Sequence, residues 1–159
     1  MKKLITLTLV VIAMAGLLVF ILIPQDSVRG IKFDGTLYAN QTFWENFQYR
    51  RLIRNFLDGD RNSLAKLVDA ECGGGAGCYD HGAALVQILM RIGDYRFSEA
   101  TRALDNTAKS HLGFLMATGF EYGFPTSKDA ESIKLTYPLT AEALSSRPER
   151  NTGAAHLSR

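Results

Sequence analysis

Two cysteines, the only pair in the chain, flank a short glycine-rich stretch. Cys72 and Cys78 enclose Gly-Gly-Gly-Ala-Gly. Cysteines this close together are typical of a disulfide when a chain leaves the cytosol, and glycines let so small a ring close without steric conflict. Two other states stay open, which are free thiols and a metal site completed by His81 and His111. Because Cys-x5-Cys-x2-His is not a usual zinc spacing, we expect the disulfide and no metal.

Two further patterns resemble binding loops without completing them. A phosphate-binding loop has Lys and then Ser or Thr after its last glycine, whereas Cys78 and Tyr79 follow Gly77. A calcium-binding loop needs Gly at its sixth position, where the stretch 58–69 has Ser63. We therefore expect no nucleotide, no cofactor and no metal ion.

Acid–base candidates are few and belong to no catalytic motif. They are Glu71, Tyr79, Asp80, His81 and His111. Neighbouring residues of a helix point about 100° apart, so Asp80 is poorly oriented to hold His81. With the cysteines expected to be oxidised, a nucleophile is also missing. The sequence therefore assigns no catalytic residue. We expect His111 on the buried face of its helix.

A group of aromatic residues lies beside three arginines. The aromatic residues are Phe43, Trp44, Phe47, Tyr49 and Phe56, and the arginines are Arg50, Arg51 and Arg54. Their helical spacing favours a core stripe with a solvated basic edge. The alternative is a surface that faces a partner or a membrane, because Trp and Arg are enriched at both kinds of interface. Its candidate residues are Trp44, Phe47, Arg50, Arg51 and Arg54.

The first 24 residues differ from the rest of the chain. Residues 4–23 contain no charged residue, follow Lys2 and Lys3, and are ended by Pro24. Twenty helical residues are about 30 Å long, which matches the hydrocarbon core of a bilayer. We expect a retained single-pass anchor in the inner membrane, with the following residues in the periplasm of a bacterium. The alternative is a signal cleaved near Ala13-Met14-Ala15, which would leave a periplasmic or secreted protein.

The charge of the remaining chain argues against nucleic acid as a partner. Of the 18 Lys and Arg residues, two are Lys2 and Lys3, so residues 25–159 carry 16 basic residues against all 16 acidic ones. Nucleic-acid binding requires a basic excess that displaces counterions. A neutral body has no such excess.

Residues 25–41 predict an irregular connector with a short extended piece at 31–33, and a helical domain follows over 42–144. Thr42 and Glu45 form the pattern of a capping box, and the helix that they begin should end at Gly59. A second helix should be capped by Asn62 or Ser63. Its buried residues should be Leu64, Leu67 and Val68.

Further helices are predicted towards the C-terminus. A third should begin at Asp80 and end at Gly93, and a long fourth should be capped by Ser98, with a break allowed at Asp105-Asn106. Short helices should start at Thr126 or Ser127 and at Thr140. Residues 145–159 are polar and predict a flexible tail.

Strand patterns are nearly absent, so the expected fold is all-α, with four to six helices of the αα-hairpin type behind the N-terminal segment. An anchor, a neutral helical body and no chemistry favour a protein-binding module: an adaptor, an accessory subunit of a membrane complex, or an inhibitor or immunity-type binder. The alternatives are a periplasmic cell-envelope enzyme that uses Glu71 or His81, and a carrier of lipid or another small ligand.

Overall fold

The computed structural model describes residues 27–33, 35–122 and 134–146, together with positions 6, 8, 10–12 and 14. The described part is mostly helical, which confirms the predicted all-α class. In chain order the labelled elements are β1 (Ser27–Val28), β2 (Ile31–Lys32), α1 (Gly35–Asn40), α2 (Phe43–Leu57), α3 (Asn62–Val68), α4 (Ala76–Ile92), α5 (Asp94–Arg102), α6 (Asn106–Tyr122) and α7 (Pro138–Ser145). The described ranges thus contain more helices than the four to six that we expected.

The N-terminal segment is described only in part. Its six described positions are helical and exposed. Four apolar residues among them are each more than half exposed, namely Val10, Val11, Ile12 and Met14. Within the described residues, no helix is both long enough and apolar enough to cross a bilayer. Most of residues 4–23 lie outside the described part, so the anchor stays a prediction.

Residues 27–33 and 35–40 contribute regular elements and four buried side chains to the domain, which corrects the expected irregular connector. β1 and β2 form an antiparallel hairpin, and its turn has positive φ at Arg29 (49°) and Gly30 (81°), as a two-residue type I′ turn requires. The turn brings irregularly spaced apolar residues to one side of the chain. These buried residues are Val28, Ile31, Phe33 and Leu37. Full burial of such side chains stabilises a fold by about 1.5–3 kcal/mol each.

Side chains of α4 hold this N-terminal part in position. Gln87 accepts from the backbone N–H of Lys32 (2.8 Å) and donates to the carbonyl of the same residue (2.9 Å). Asp80 accepts from the backbone N–H of Leu37 at the start of α1 (3.0 Å). The amide and the carboxylate therefore satisfy backbone groups that the short elements leave unpaired.

α2 begins and ends where the sequence predicts. Both hydrogen bonds of the capping box are present: the N–H of Glu45 donates to the hydroxyl of Thr42 (3.3 Å), and the N–H of Thr42 donates to the carboxylate of Glu45 (2.7 Å). The carboxylate of Glu45 accepts from the backbone N–H and from the hydroxyl of Thr42, and these two bonds lower the pKa of Glu45. The helix ends at Leu57, just before Gly59, whose φ is +108°.

α3 buries the three apolar residues expected of it, but its cap differs. Asp60 accepts from the N–H of Asn62 (3.1 Å) and from the hydroxyl of Ser63 (2.7 Å). The side chain that satisfies the start of α3 is therefore Asp60, not Asn62 or Ser63. An acidic side chain suits this position because helix N-termini carry partial positive charge.

The predicted long fourth helix is two helices, α5 and α6, separated at residues 103–105. Ser98 does not cap it, since Ser98 lies inside α5 and its hydroxyl donates to the carbonyl of Tyr95 (2.9 Å). Asp105 accepts from the N–H of Ala108 at the start of α6 (2.8 Å). The break that the sequence allowed at Asp105-Asn106 is therefore confirmed.

The C-terminal elements agree with the sequence in part. The helix expected at Thr140 is α7, which begins at Pro138 and is eight residues long. It also contains Ser145, where we had expected the flexible tail to begin. The helix predicted at Thr126 or Ser127, and residues 147–159 of the tail, lie outside the described residues.

Candidate functional site

One face of α2 is apolar and exposed. The buried face of this helix carries Tyr49, Ile53 and Phe56, which belong to the core. With 3.6 residues per turn, five other residues share the opposite side. We call this set the outer face of α2: Phe43, Trp44, Phe47, Arg51 and Arg54. Their exposure corrects the expectation that the aromatic group is one core stripe.

The aromatic residues of the outer face are strongly exposed. Phe43 is 59% exposed, Trp44 60% and Phe47 45%. The rings of Trp44 and Phe47 stack one helical turn apart, with centroids 5.4 Å apart and planes 19° from parallel. Because each ring restricts the other, the pair presents a preformed apolar surface to solvent.

The three arginines of α2 have different surroundings. Arg50 is half-buried and lies over the ring of Tyr38, with its Cζ 5.1 Å from the ring centroid, so it belongs to the edge of the core. Arg51 and Arg54 are exposed and form no ion pair with any acid in the described ranges. The five predicted interface residues are thus divided, four on the outer face and Arg50 beside it.

The structure brings Cys72 and Cys78 to disulfide distance, with their Cα atoms 4.8 Å apart. Gly77 is required inside this ring, because a Cβ there would overlap the carbonyl of Cys72. Gly73 has φ of +70° and packs against Asn40. α4 begins at Ala76, within the ring, and so starts before Asp80, where we had expected it.

No group of three or more His, Cys, Asp or Glu side chains could hold a metal ion among the described residues. His81 and His111, proposed as ligands beside the cysteines, are in different settings. His111 is exposed on α6, which corrects the expected buried position. His111 lies at the edge of the buried side of α6, about 100° around the helix from Leu112, which is fully buried.

His81 is fully buried, and its Nδ1 lies 2.8 Å from the hydroxyl of Tyr49. Its Nε2 is buried without a hydrogen-bond partner in the described part. Burial, and to a smaller extent the charge of His111, lowers the pKa of His81 to about 4, although the backbone of Leu67 opposes this shift. Burial likewise raises the pKa of Tyr49. His81 is therefore neutral at pH 7 and out of reach of a substrate.

Glu71 is exposed and lines a groove of about 420 Å³ between α2, α3 and residues 69–71. The groove also contains Arg51, Lys66 and Asp69, so its lining carries both signs of charge. Tyr49 lines the groove and contacts His81, but His81 itself does not line it. The two acid–base candidates therefore do not meet in one site.

A second exposed aromatic pair was not singled out in the sequence. Tyr79 of α4 stacks on Tyr122 of α6, with ring centroids 4.6 Å apart, and both residues are exposed. The two residues are far apart in sequence, and no local pattern predicts their contact. A hydrogen bond to Glu121 raises the pKa of Tyr122.

Comparison with known proteins does not assign the site. No family model matches the sequence, and neither a curated protein nor a solved structure is significantly similar to the chain.

Proposed function

We propose that this chain is a membrane-tethered, helical protein-binding module, and that its soluble body works at the outer surface of a bacterial inner membrane as an adaptor, an accessory subunit or an inhibitor. The observation that carries the proposal is the exposed stack of Trp44 on Phe47 beside two exposed arginines. Trp and Arg are the residue types that contribute most binding energy at protein interfaces.

The proposal that the chain is tethered to a membrane rests on the sequence of residues 4–23. An uncharged stretch of this length matches a bilayer, and Val10, Val11, Ile12 and Met14 are not covered by the rest of the described chain. Cysteines at disulfide distance support a compartment outside the cytosol. Cleavage near Ala13-Met14-Ala15 is the alternative and would release the same body into the periplasm or medium.

Co-purification from membranes tests the proposal. The tagged full chain, produced in its native host and extracted in mild detergent, should retain a specific protein in stoichiometric amount. Trp44→Ala with Phe47→Ala should lose that protein without a change in melting temperature, since both rings are exposed. Phe114→Ala is the matched control, because Phe114 is an exposed aromatic residue on α6. Retention of nothing by the unaltered chain would contradict the proposal.

The enzyme alternative is tested in the same host. Glu71 lines the groove, so Glu71→Gln should abolish the phenotype of the chain if the groove is catalytic, without a change in melting temperature. His81 is fully buried, and its substitution tests stability rather than catalysis. The carrier alternative predicts bound lipid in native mass spectra. However, the groove is lined by charged side chains, unlike a lipid pocket.

A further inference from the structure

The geometry points to an acidic protein surface as the partner of the outer face of α2. An apolar site of that partner would cover the Trp44–Phe47 stack, and its carboxylates would bind Arg51 and Arg54. This inference rests on the proposed function, because it gives the chemistry of the partner that such a module requires.

The outer face carries two positive charges and no acidic residue of its own, and Arg51 also borders the groove that contains Asp69 and Glu71. Arg51 and Arg54 have no acidic partner within the described ranges. Two acids lie near them in sequence, one within α2 and one directly after it, but both are already engaged. Glu45 binds Thr42 within the capping box, and Asp58 pairs with Arg29 of the hairpin turn. Because residues 25–159 carry equal numbers of basic and acidic residues, this excess is local to the face.

The residue type indicates which anion is bound. A guanidinium group offers a planar fork of N–H donors, which matches both oxygens of a carboxylate. Charge-assisted bonds of this kind give specificity when an adjoining apolar contact excludes water. The Trp44–Phe47 stack supplies that apolar contact on the same face of α2.

Helical geometry sets the spacing that the partner must match. Arg51 follows Trp44 by seven residues, and Arg54 follows Phe47 by the same interval. Seven residues are about two turns, or roughly 10 Å along the helix axis. The partner surface therefore carries a large apolar side chain and an Asp or Glu about 10 Å away. A partner helix meets this requirement with an acid seven residues from an apolar residue.

A lipid surface fits the face less well. Recognition of anionic lipid uses clusters of about four to eight basic residues near the headgroups. The outer face offers two, and Arg50 is directed to the ring of Tyr38. Two arginines beside a rigid aromatic stack favour a discrete protein site over a diffuse charged surface.

Site-specific photo-crosslinking in the native host tests the inference with the full chain in its own membrane. A photoreactive phenylalanine derivative replaces Gln48, which is exposed on α2 beside the outer face. The control position is Ser110, which is exposed on α6. We expect a protein adduct from position 48 and none from position 110. Mass spectrometry of the adduct should give a segment with an Asp or Glu about 10 Å from an apolar residue.

Charge reversal then tests the arginines. Arg51→Glu with Arg54→Glu should lower the adduct yield about tenfold or more, because like charges would face each other. Arg91→Glu with Arg96→Glu is the matched control, since it changes the net charge equally at exposed positions of α4 and α5. Changing the acids of the identified segment to Lys should restore the adduct with the Arg51→Glu, Arg54→Glu chain.

Each other outcome overturns the inference. Adducts to lipid would make the face a membrane contact, and adducts to a second copy of the chain would make it a self-association surface. A cross-linked segment without an acid, or an adduct insensitive to charge reversal, would exclude carboxylate recognition. If a protein still co-purifies in these cases, the proposed function stands and only the docking chemistry falls. If none co-purifies or cross-links, both fall together.

Discussion

Gly82 of α4 and Gly119 of α6 lie backbone to backbone, so that a Cβ on either residue would overlap main-chain atoms of the other helix. These two helices form the most extensive helix pair of the described domain. The contact extends along α6 to Leu115, whose carbonyl a Cβ on Gly82 would also meet. Glycine at both positions therefore sets the distance between the two helices.

Substitution of Gly119 by Ala should lower the free energy of unfolding by about 1–3 kcal/mol, the usual cost of overpacking. Gly113→Ala on the same helix is the control. A Cβ at Gly113 meets nothing within 4 Å, so the better helix propensity of Ala should raise stability by about 0.5–1 kcal/mol. Urea unfolding of the detergent-solubilised chain, followed by far-ultraviolet circular dichroism, measures both. Equal effects of the two substitutions would contradict the close helix contact.

The pair Cys72 and Cys78 should be oxidised in the isolated protein. The intact mass without reductant should then be about 2 Da below the mass after reduction. Closing so short a ring restricts the unfolded chain, so Cys72→Ser with Cys78→Ser should cost about 2 kcal/mol of stability. A mass unchanged by reduction, with both thiols titratable, would show free cysteines and remove the support for an oxidising compartment.

His81 should make stability depend on pH in acid. Its pKa is about 4 in the folded chain against an ordinary value of 6.5, so the unfolded chain binds the extra proton between these values. The contribution of neutral His81 to the free energy of unfolding is fully present above pH 6.5. It falls as the pH drops towards 4, by at most about 1.4 kcal/mol per pH unit. Below pH 4 both states are protonated, and this loss stops.

The control for this pH effect is His81→Asn. The amide of Asn still offers a hydrogen-bonding group to the hydroxyl of Tyr49, but it does not titrate. Urea unfolding free energies of the two chains, measured from pH 4 to 7, should differ in slope over that interval. Parallel curves would mean that His81 gains access to water or to another partner in solution.

Asp94 should hold α7 against the start of α5. Its two carboxylate oxygens accept from the backbone N–H groups of Leu139 (2.9 Å) and Thr140 (2.8 Å). Asp94→Ala should cost about 1–2 kcal/mol, as loss of a helix cap does. Hydrogen exchange of the amides of residues 139 and 140 should accelerate, while α4 amides keep their protection. Unchanged exchange at α7 would show that packing of Ala143 and Thr140 suffices.

Much of the helical framework follows from local sequence, because its signals act within one turn. The capping box of Thr42 and Glu45 and the stop at Gly93 are of this kind. The contacts that position residues 27–40 are not, since Gln87 binds Lys32 across 55 positions of the chain. No local pattern predicts such a pair, and the hairpin was therefore missed.

For the aromatic residues and arginines of α2, sequence alone left two interpretations open, a core stripe and an exposed surface. α2 has two stripes of aromatic side chains, and a sequence does not tell which of them the rest of the chain covers. Tyr49 and Phe56 are covered, while Trp44 and Phe47 are not. His81 shows the opposite case, since a histidine considered for catalysis is fully buried and contacts Tyr49 of α2.

Val28 is buried in the core, so the folded domain begins within a few residues of the N-terminal apolar segment. Only Gln25 and Asp26 lie between Pro24 and Ser27, and the three steps from one residue to the next span at most about 10 Å. If residues 4–23 cross the bilayer as proposed, no long flexible linker joins the folded domain to the membrane, and the domain stays close to the lipid surface. Its partner must then itself reside next to the lipid surface, and the two would find each other by diffusion in two dimensions.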